Sequence, residues 1–241
     1  MSKTPRYAEL VAARKAVDPV PLGLQNPAAI ENGKYDSAHI GPWTVWANDL
    51  DADLMVVGQD WADVSYFTEN RGLDKPGNPT NQFLRDLLES VGRPIPEPPS
   101  AGNIDDPARA TCGVWLTNAL LWLKEGGMSA PVRSEWFEGA SQQLLCDQIV
   151  LVQPRVVVAL GERAYNCALR AFGLVPWRGT FRLAVELQHG VSLPVPSSAA
   201  TLFAVYHCGS RIRNTHRSKE QQRADWSRIR PLLGSRTGVR P

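Results

Sequence analysis

The chain lacks the marks of several protein classes. Its four cysteines, Cys112, Cys146, Cys167 and Cys208, form no C-x-x-C pair, and neighbouring ones stand about twenty residues apart or more. That spacing supports neither a zinc nor an iron–sulfur site and reads as reduced, mostly buried thiols in a reducing compartment. No apolar run approaches the length that crosses a bilayer, and no apolar signal region follows the first six residues. The expected setting is therefore cytoplasmic, with no membrane partner. A G-x-G-x-x-G fingerprint and a G-x-x-x-x-G-K-[ST] loop are both missing, which weakens any reading as an enzyme that grips free nucleotides by their phosphates. No internal repeat or low-complexity segment stands out.

What is present is ordinary for a globular chain: 241 residues, 43% hydrophobic and 21% charged. This length favours one domain spanning 1–241. The net charge of +2 hides an asymmetry. After His207 come nine basic residues (Arg211, Arg213, Arg217, Lys219, Arg223, Arg228, Arg230, Arg236 and Arg240) against Glu220 and Asp225. That end carries +7, leaving seventeen basic and twenty-two acidic residues, a net −5, over the rest. A basic end on an acidic body suits a polyanionic partner, nucleic acid first, and on charge alone suits a solvated basic helix equally well.

Periodicity orders the chain. A helix is expected over 5–17, stopped by Pro19 and Pro21, then an extended cover to 42. Leu54-Met55-Val56-Val57 is short, apolar and partly β-branched, as a strand buried on both faces should be. Gly58 would then let the chain turn, leaving Gln59 and Asp60 on the loop past the strand's end. A polar loop over 62–79 leads to a helix over 80–91, with Phe83, Leu84, Leu87, Leu88 and Val91 on one face. Further strands are expected over 113–118, 155–160 and 202–206. Between them lie a long helix from Ser134 to Val152, a helix over 161–172 and a hairpin around 181–187. A basic helix over 218–233 closes the domain, and 234–241 is expected to be a disordered tail. Strand and helix alternate four times, which implies a three-layer α/β/α domain around a four-stranded parallel sheet.

In such a sheet the strands' C-terminal ends share one edge, where ligands bind. Asp60, Asn118 and His207 each follow a different apolar run, so they can converge there. Each alone is ordinary: an Asp or Asn after a strand commonly caps the next helix, and a lone His is usually structural. Their combination is what points to a site.

These residues carry a resemblance. Gly58-Gln59-Asp60 resembles the first motif of the uracil-DNA glycosylase superfamily. The run from Leu116 to Leu121 resembles the strand that presents its base-reading asparagine, and 156–164 its third strand and helix. His207-Cys208-Gly209-Ser210-Arg211 is similar to its histidine loop. The resemblance spans about 50–230. It implies a glycosylase that flips uracil out of DNA and cleaves the bond to deoxyribose, without metal or cofactor, as a monomer. It implies roles too: Asp60 positions water, His207 steadies the departing base, and Gly58, Gln59 and Asn118 bind it. Phe67, or Tyr66 beside it, stacks on the base. Ser210, Arg211, Arg213 and Arg217 contact DNA, with Arg211 near the place of the residue that fills the gap. Two departures stand out. Trp61 and Ala62 occupy places where the best-known uracil enzymes carry Pro and Tyr, and Cys208-Gly209 replaces Pro-Ser. A DNA-binding relative without turnover, or an α/β enzyme acting on free nucleotides, are the competing readings.

Overall fold

Successive residues of the Leu54 run serve opposite sides of the molecule. Met55 and Val57 enter one apolar cluster while Leu54 and Val56 enter another, all four fully buried. A strand that alternates between two cores has no polar face to offer, which is why its sequence is continuously apolar. The computed structural model describes residues 2–75, 77–187, 190–196 and 199–234.

Helix α1 (Lys3–Lys15) opens the chain, followed by the short strand β1 (Leu24–Gln25) and helix α2 (Pro42–Trp46). Then come β2 (Leu54–Gly58), α3 (Val64–Glu69) and α4 (Pro79–Ser90). The middle third holds β3 (Val114–Asn118), β4 (Leu123–Lys124) and α5 (Ala140–Val152). After them come β5 (Val156–Leu160), α6 (Glu162–Ala171), α7 (Phe181–Leu187), β6 (Val191–Leu193) and β7 (Ala200–Val205). Helices α8 (Ser210–Thr215) and α9 (Lys219–Ser227) follow.

The main sheet has the order β3-β2-β5-β7-β6, and its first four strands are parallel. Residues of α1, α5 and α6 share one core with the sheet, and those of α4 and α9 share the other. This is the expected three-layer α/β/α arrangement with one correction. The sheet has five strands, because the short β6 adds antiparallel to β7 at the edge. The expected hairpin around 181–187 is instead α7. Phe181 and Val185 lie four residues apart, one helical turn, with Phe181 edge-on to Tyr206 at 5.3 Å and Val185 fully buried.

Other boundaries shift for local reasons. The expected long helix from Ser134 is a 3₁₀ turn (Ser134–Phe137) and then α5, separated by Gly139 at φ 54°. The expected loop over 62–79 contains α3, because the Asp63 side chain accepts from the Tyr66 N–H at 2.7 Å and caps it. The closing helix ends at Ser227 and resumes as a 3₁₀ turn at Arg230–Leu232, since Pro231 has no N–H to continue the ladder. Of the expected tail, Gly234 is anchored, its carbonyl accepting from Arg93 at 2.7 Å, and 235–241 lie outside the described residues.

The N-terminal cover is tied down by charge. Arg14, wholly buried in α1, donates to both oxygens of Asp36 at 3.1 and 2.8 Å, and to the His39 carbonyl at 3.1 Å. The cover also pairs directly with the region near the sheet's edge, Leu24 lying opposite Lys124. Among the described residues no helix is long and apolar enough to cross a membrane, and no group of His, Cys, Asp or Glu is arranged to hold a metal.

Candidate active site

The sheet changes direction of growth between β2 and β5, since the chain builds β3 on one side of β2 and β7 beyond β5. Such a switch point leaves a crevice at the carboxyl ends of the two strands. Beside it opens a cavity of about 520 Å³ lined by Gln59, Phe137, Arg163, Asn166 and Arg170, among others.

Gly58 ends β2 in register with Asn118 at the end of β3. Its φ is not positive, so the glycine is not there for a left-handed turn. It is there for room. A Cβ at 58 would lie 2.3 Å from the Asn118 Oδ1 and 2.7 Å from the Trp43 ring. Two more hydrogen bonds carry the pairing past the strands, Ala119 N–H to the Gly58 carbonyl at 2.8 Å and Leu120 N–H to the Gln59 carbonyl at 3.0 Å. The Asn118 side chain is 2% exposed, and its Oδ1 is a buried acceptor with no partner among the described residues. A buried acceptor left unpaired is destabilising by about 1–3 kcal/mol, the pattern of a group kept for a ligand's donor.

Asp60 stands two residues past β2. Its Oδ1 accepts from the Gln59 side-chain amide at 2.6 Å, and its Oδ2 pairs with the Lys124 ammonium at 3.0 Å. Both side chains of that pair are shielded, 13% and 6% exposed. The Gln59 side-chain oxygen Oε1 faces the other way, where Arg163 donates to it at 3.5 Å.

His207 follows β7 by two residues. The Gly209 backbone N–H donates to its Nδ1 at 3.0 Å. A nitrogen that accepts cannot carry a proton, so the neutral ring bears its hydrogen on Nε2. Burial pushes the imidazole below its ordinary pKa, and the charge of nearby Asp60 opposes that only in part. The ring is thus a neutral donor. Gly209 has to be glycine for this contact, because a Cβ there would lie 2.9 Å from Nδ1. The adjoining Cys208 is fully buried with its thiol pushed up to about 12, so it is no nucleophile.

The aromatic loop is built around a carboxylate. Asp74 accepts from the Trp61 indole at 3.3 Å and the Tyr66 hydroxyl at 3.4 Å, and burial raises its pKa against those bonds. Phe67 is 1% exposed, enclosed by Ile30 and Leu123 with Trp61 and Tyr35 edge-on at 6.1 and 6.5 Å. Tyr66 is held by its hydroxyl, which also accepts from the Lys75 N–H at 3.0 Å.

The basic residues separate into two groups. Ser210 and Arg211 are exposed at the start of α8. Arg213, Lys219 and Arg223 gather over the Phe83 ring, at 5.0, 5.6 and 5.9 Å from its centre. Arg217 turns inward, donating to both oxygens of the buried Asp225 at 2.9 and 2.6 Å.

The strand ends thus bring Gly58, Gln59, Asp60, Asn118 and His207 to one edge, with Phe67 in the loop beside it. The sequence reading missed Lys124, Trp43, Asp74 and the role of Gly209. Lys124 did carry a signal, as a cation ending the apolar run 119–123 much as Asp60 follows the run 54–57.

The class this defines is an α/β fold whose parallel sheet gathers polar groups from separate strand ends at its carboxyl edge. The chain belongs to the uracil-DNA glycosylase superfamily, whose family model matches residues 46–230. It is similar to the type-5 uracil-DNA glycosylase of Pyrobaculum aerophilum, with 26% identity over 212 residues, covering 88% of this chain and 80% of that protein.

Proposed function

We propose that this protein is a monofunctional DNA glycosylase that hydrolyses the bond between uracil and deoxyribose in DNA, as the first step of base excision repair. Other deaminated bases are further substrates, and the enzyme works as a monomer without cofactor. The observation that carries this reading is the meeting of a carboxylate, an unpaired amide oxygen and a neutral Nε2–H imidazole at one sheet edge.

The chemistry follows from those groups. Breaking the bond puts positive charge on the sugar and negative charge on the base. Asp60 stabilises the sugar cation and orients a water. The C1′–N1 bond breaks with its electron pair going to uracil, the water oxygen bonds C1′, and its released proton passes to Asp60. His207 donates through Nε2 to the base oxygen where charge grows, as an oxyanion hole does. Being neutral, it leaves the charge of Asp60 unopposed by a second cation. Asn118 Oδ1 accepts from the N–H of uracil's pairing edge, while cytosine offers no N–H there. A pocket that relies on such bonds rejects the base that lacks them by several orders of magnitude.

Reaching the base requires flipping it from the helix at a few kcal/mol. The aromatic loop supplies the stacking surface through the half-buried Tyr66, since Phe67 beside it is enclosed. Arg211 fills the gap left behind, and Ser210 and Arg213 contact phosphates. Arg217 is the exception, since Asp225 already holds it.

The test is excision by metal-free protein on oligonucleotides that each carry one modified base, read as strand breaks after alkali. Uracil release is expected, lowered about 10²–10⁴-fold by Asp60→Asn or His207→Ala with DNA affinity retained. Absence of release from uracil, hypoxanthine and mismatched thymine would turn the reading to a DNA-binding relative.

A further inference from the structure

Lys124 has no task in the chemistry just described, yet it is placed with more constraint than most lysines. A lysine ordinarily buries its stem and leaves its ammonium in water. This one is 6% exposed, with Nζ 3.0 Å from the Asp60 Oδ2. Its backbone is gripped from two sides, paired with Leu24 of β1 and bridged to Asp63 in the loop after β2. The ammonium is therefore delivered to Asp60 by the N-terminal cover and the aromatic loop acting together.

The other charged groups around Asp60 do not duplicate this contact. Asp63 directs its carboxylate to the Tyr66 N–H at the start of α3. Arg163, from α6, reaches the side-chain oxygen of Gln59. His207, after β7, has its Nδ1 occupied by Gly209. Among the described residues Lys124 is the cation paired with Asp60.

We infer that Lys124 is a positioning residue for base excision, fixing the plane of the Asp60 carboxylate through Oδ2 so that Oδ1, steadied by Gln59, orients the attacking water. This rests on the reading of Asp60 as the water-positioning carboxylate. Each carboxylate oxygen has two lone-pair sites, so the Gln59 amide on Oδ1 leaves one for water. An ammonium engaged with Oδ2 has no lone pair for the sugar, so the reaction stays hydrolytic.

Lys124→Met and Lys124→Arg test this by single-turnover excision of uracil, with affinity for uncut DNA measured alongside. Lys124→Met is expected to slow excision about 10–100-fold with affinity unchanged. Lys124→Arg, which restores the cation in a different shape, is expected to return part of the rate. Carbon NMR of the Asp60 carboxyl, identified with Asp60→Asn, reads the contact without needing turnover, and its resonance is expected to move in Lys124→Met. An unmoved resonance, an undiminished rate in Lys124→Met, or a Lys124→Arg rate no better than that of Lys124→Met overturns the inference. So does borohydride trapping of DNA on the native protein but not on Lys124→Met, because the amine would then be bonding the sugar. If the native protein releases no base at all, the proposed function fails on its own terms, and the carboxyl resonance still decides whether Lys124 holds Asp60.

Discussion

The Gly209 N–H and the Nδ1 of His207 are 3.0 Å apart, and that bond decides which end of the imidazole is a donor. Nitrogen NMR should show a ring protonated on Nε2 alone at neutral pH. The pKa of His207 is lowered by burial, chiefly, so protonation is favoured more in the unfolded chain than in the folded one. Stability from this group is fully present above the ordinary histidine pKa, about 6.5, and is lost as pH falls through the lower folded value. Thermal unfolding followed against pH should show that loss, and His207→Gln should reduce it. A stability curve flat across that window would contradict the assignment.

Gly209→Ala follows from the same geometry. The new Cβ would sit 2.9 Å from Nδ1, so the ring must move. Excision should drop about 10–10³-fold, the range expected when an oxyanion donor is misplaced. The fold should survive, because the loop lies at the edge of the core, and circular dichroism will check that.

At Gly58 the prediction is different. A methyl there meets the Asn118 oxygen at 2.3 Å and the Trp43 ring at 2.7 Å, both in buried surroundings. Overpacking of this kind is destabilising by about 1–3 kcal/mol. Gly58→Ala should therefore lose stability and uracil excision together, and urea titration alongside single-turnover rates will separate it from Gly209→Ala.

Asn118→Ala should show the opposite balance. Its Oδ1 is buried without a partner, so removing it relieves an unsatisfied acceptor. Stability should stay level or rise slightly while discrimination between uracil and cytosine collapses. A large fall in unfolding temperature would mean that the amide is a structural group.

Two of the three arginines named for DNA should part company. Arg213, over the Phe83 ring, is assigned a phosphate contact, so Arg213→Ala should flatten the dependence of log affinity on log salt by about 0.9. Arg217 is bonded to Asp225, which is 1% exposed. Arg217 also lies 3.6 Å from Glu186, so neither substitution isolates a charge, and Arg217→Ala and Asp225→Ala should each be destabilising by about 1.5–3 kcal/mol, as loss of charged hydrogen bonds is.

The strands were the legible part of the chain, because their apolar runs are buried on both faces and no polar periodicity interrupts them. The polar ends of those runs showed where Asp60, Asn118 and His207 would meet. What stayed hidden was set by contacts that sequence patterns do not carry. The 181–187 segment is short enough to fit a hairpin or a helix, and Val185 settles it by entering the core. Gly58 invited a reading as a turn residue, when the constraint comes from Asn118 and Trp43, distant along the chain. Arg217 belonged to a basic run that suggested DNA, and only its contact with Asp225 shows it turned inward. Lys124 carried only the signal of a cation at the end of an apolar run, where lysines are usually solvated.

The parallel order of the sheet also sets a schedule. Asp60 leaves the ribosome early, but the strand that delivers His207 is the last of the main sheet to be synthesised. Parallel neighbours cannot pair until the intervening crossover exists, so the nascent chain has no imidazole to set against its carboxylate until β7 has docked beside β5. During synthesis the half-made protein holds a carboxylate and an amide but not the imidazole that completes the proposed centre.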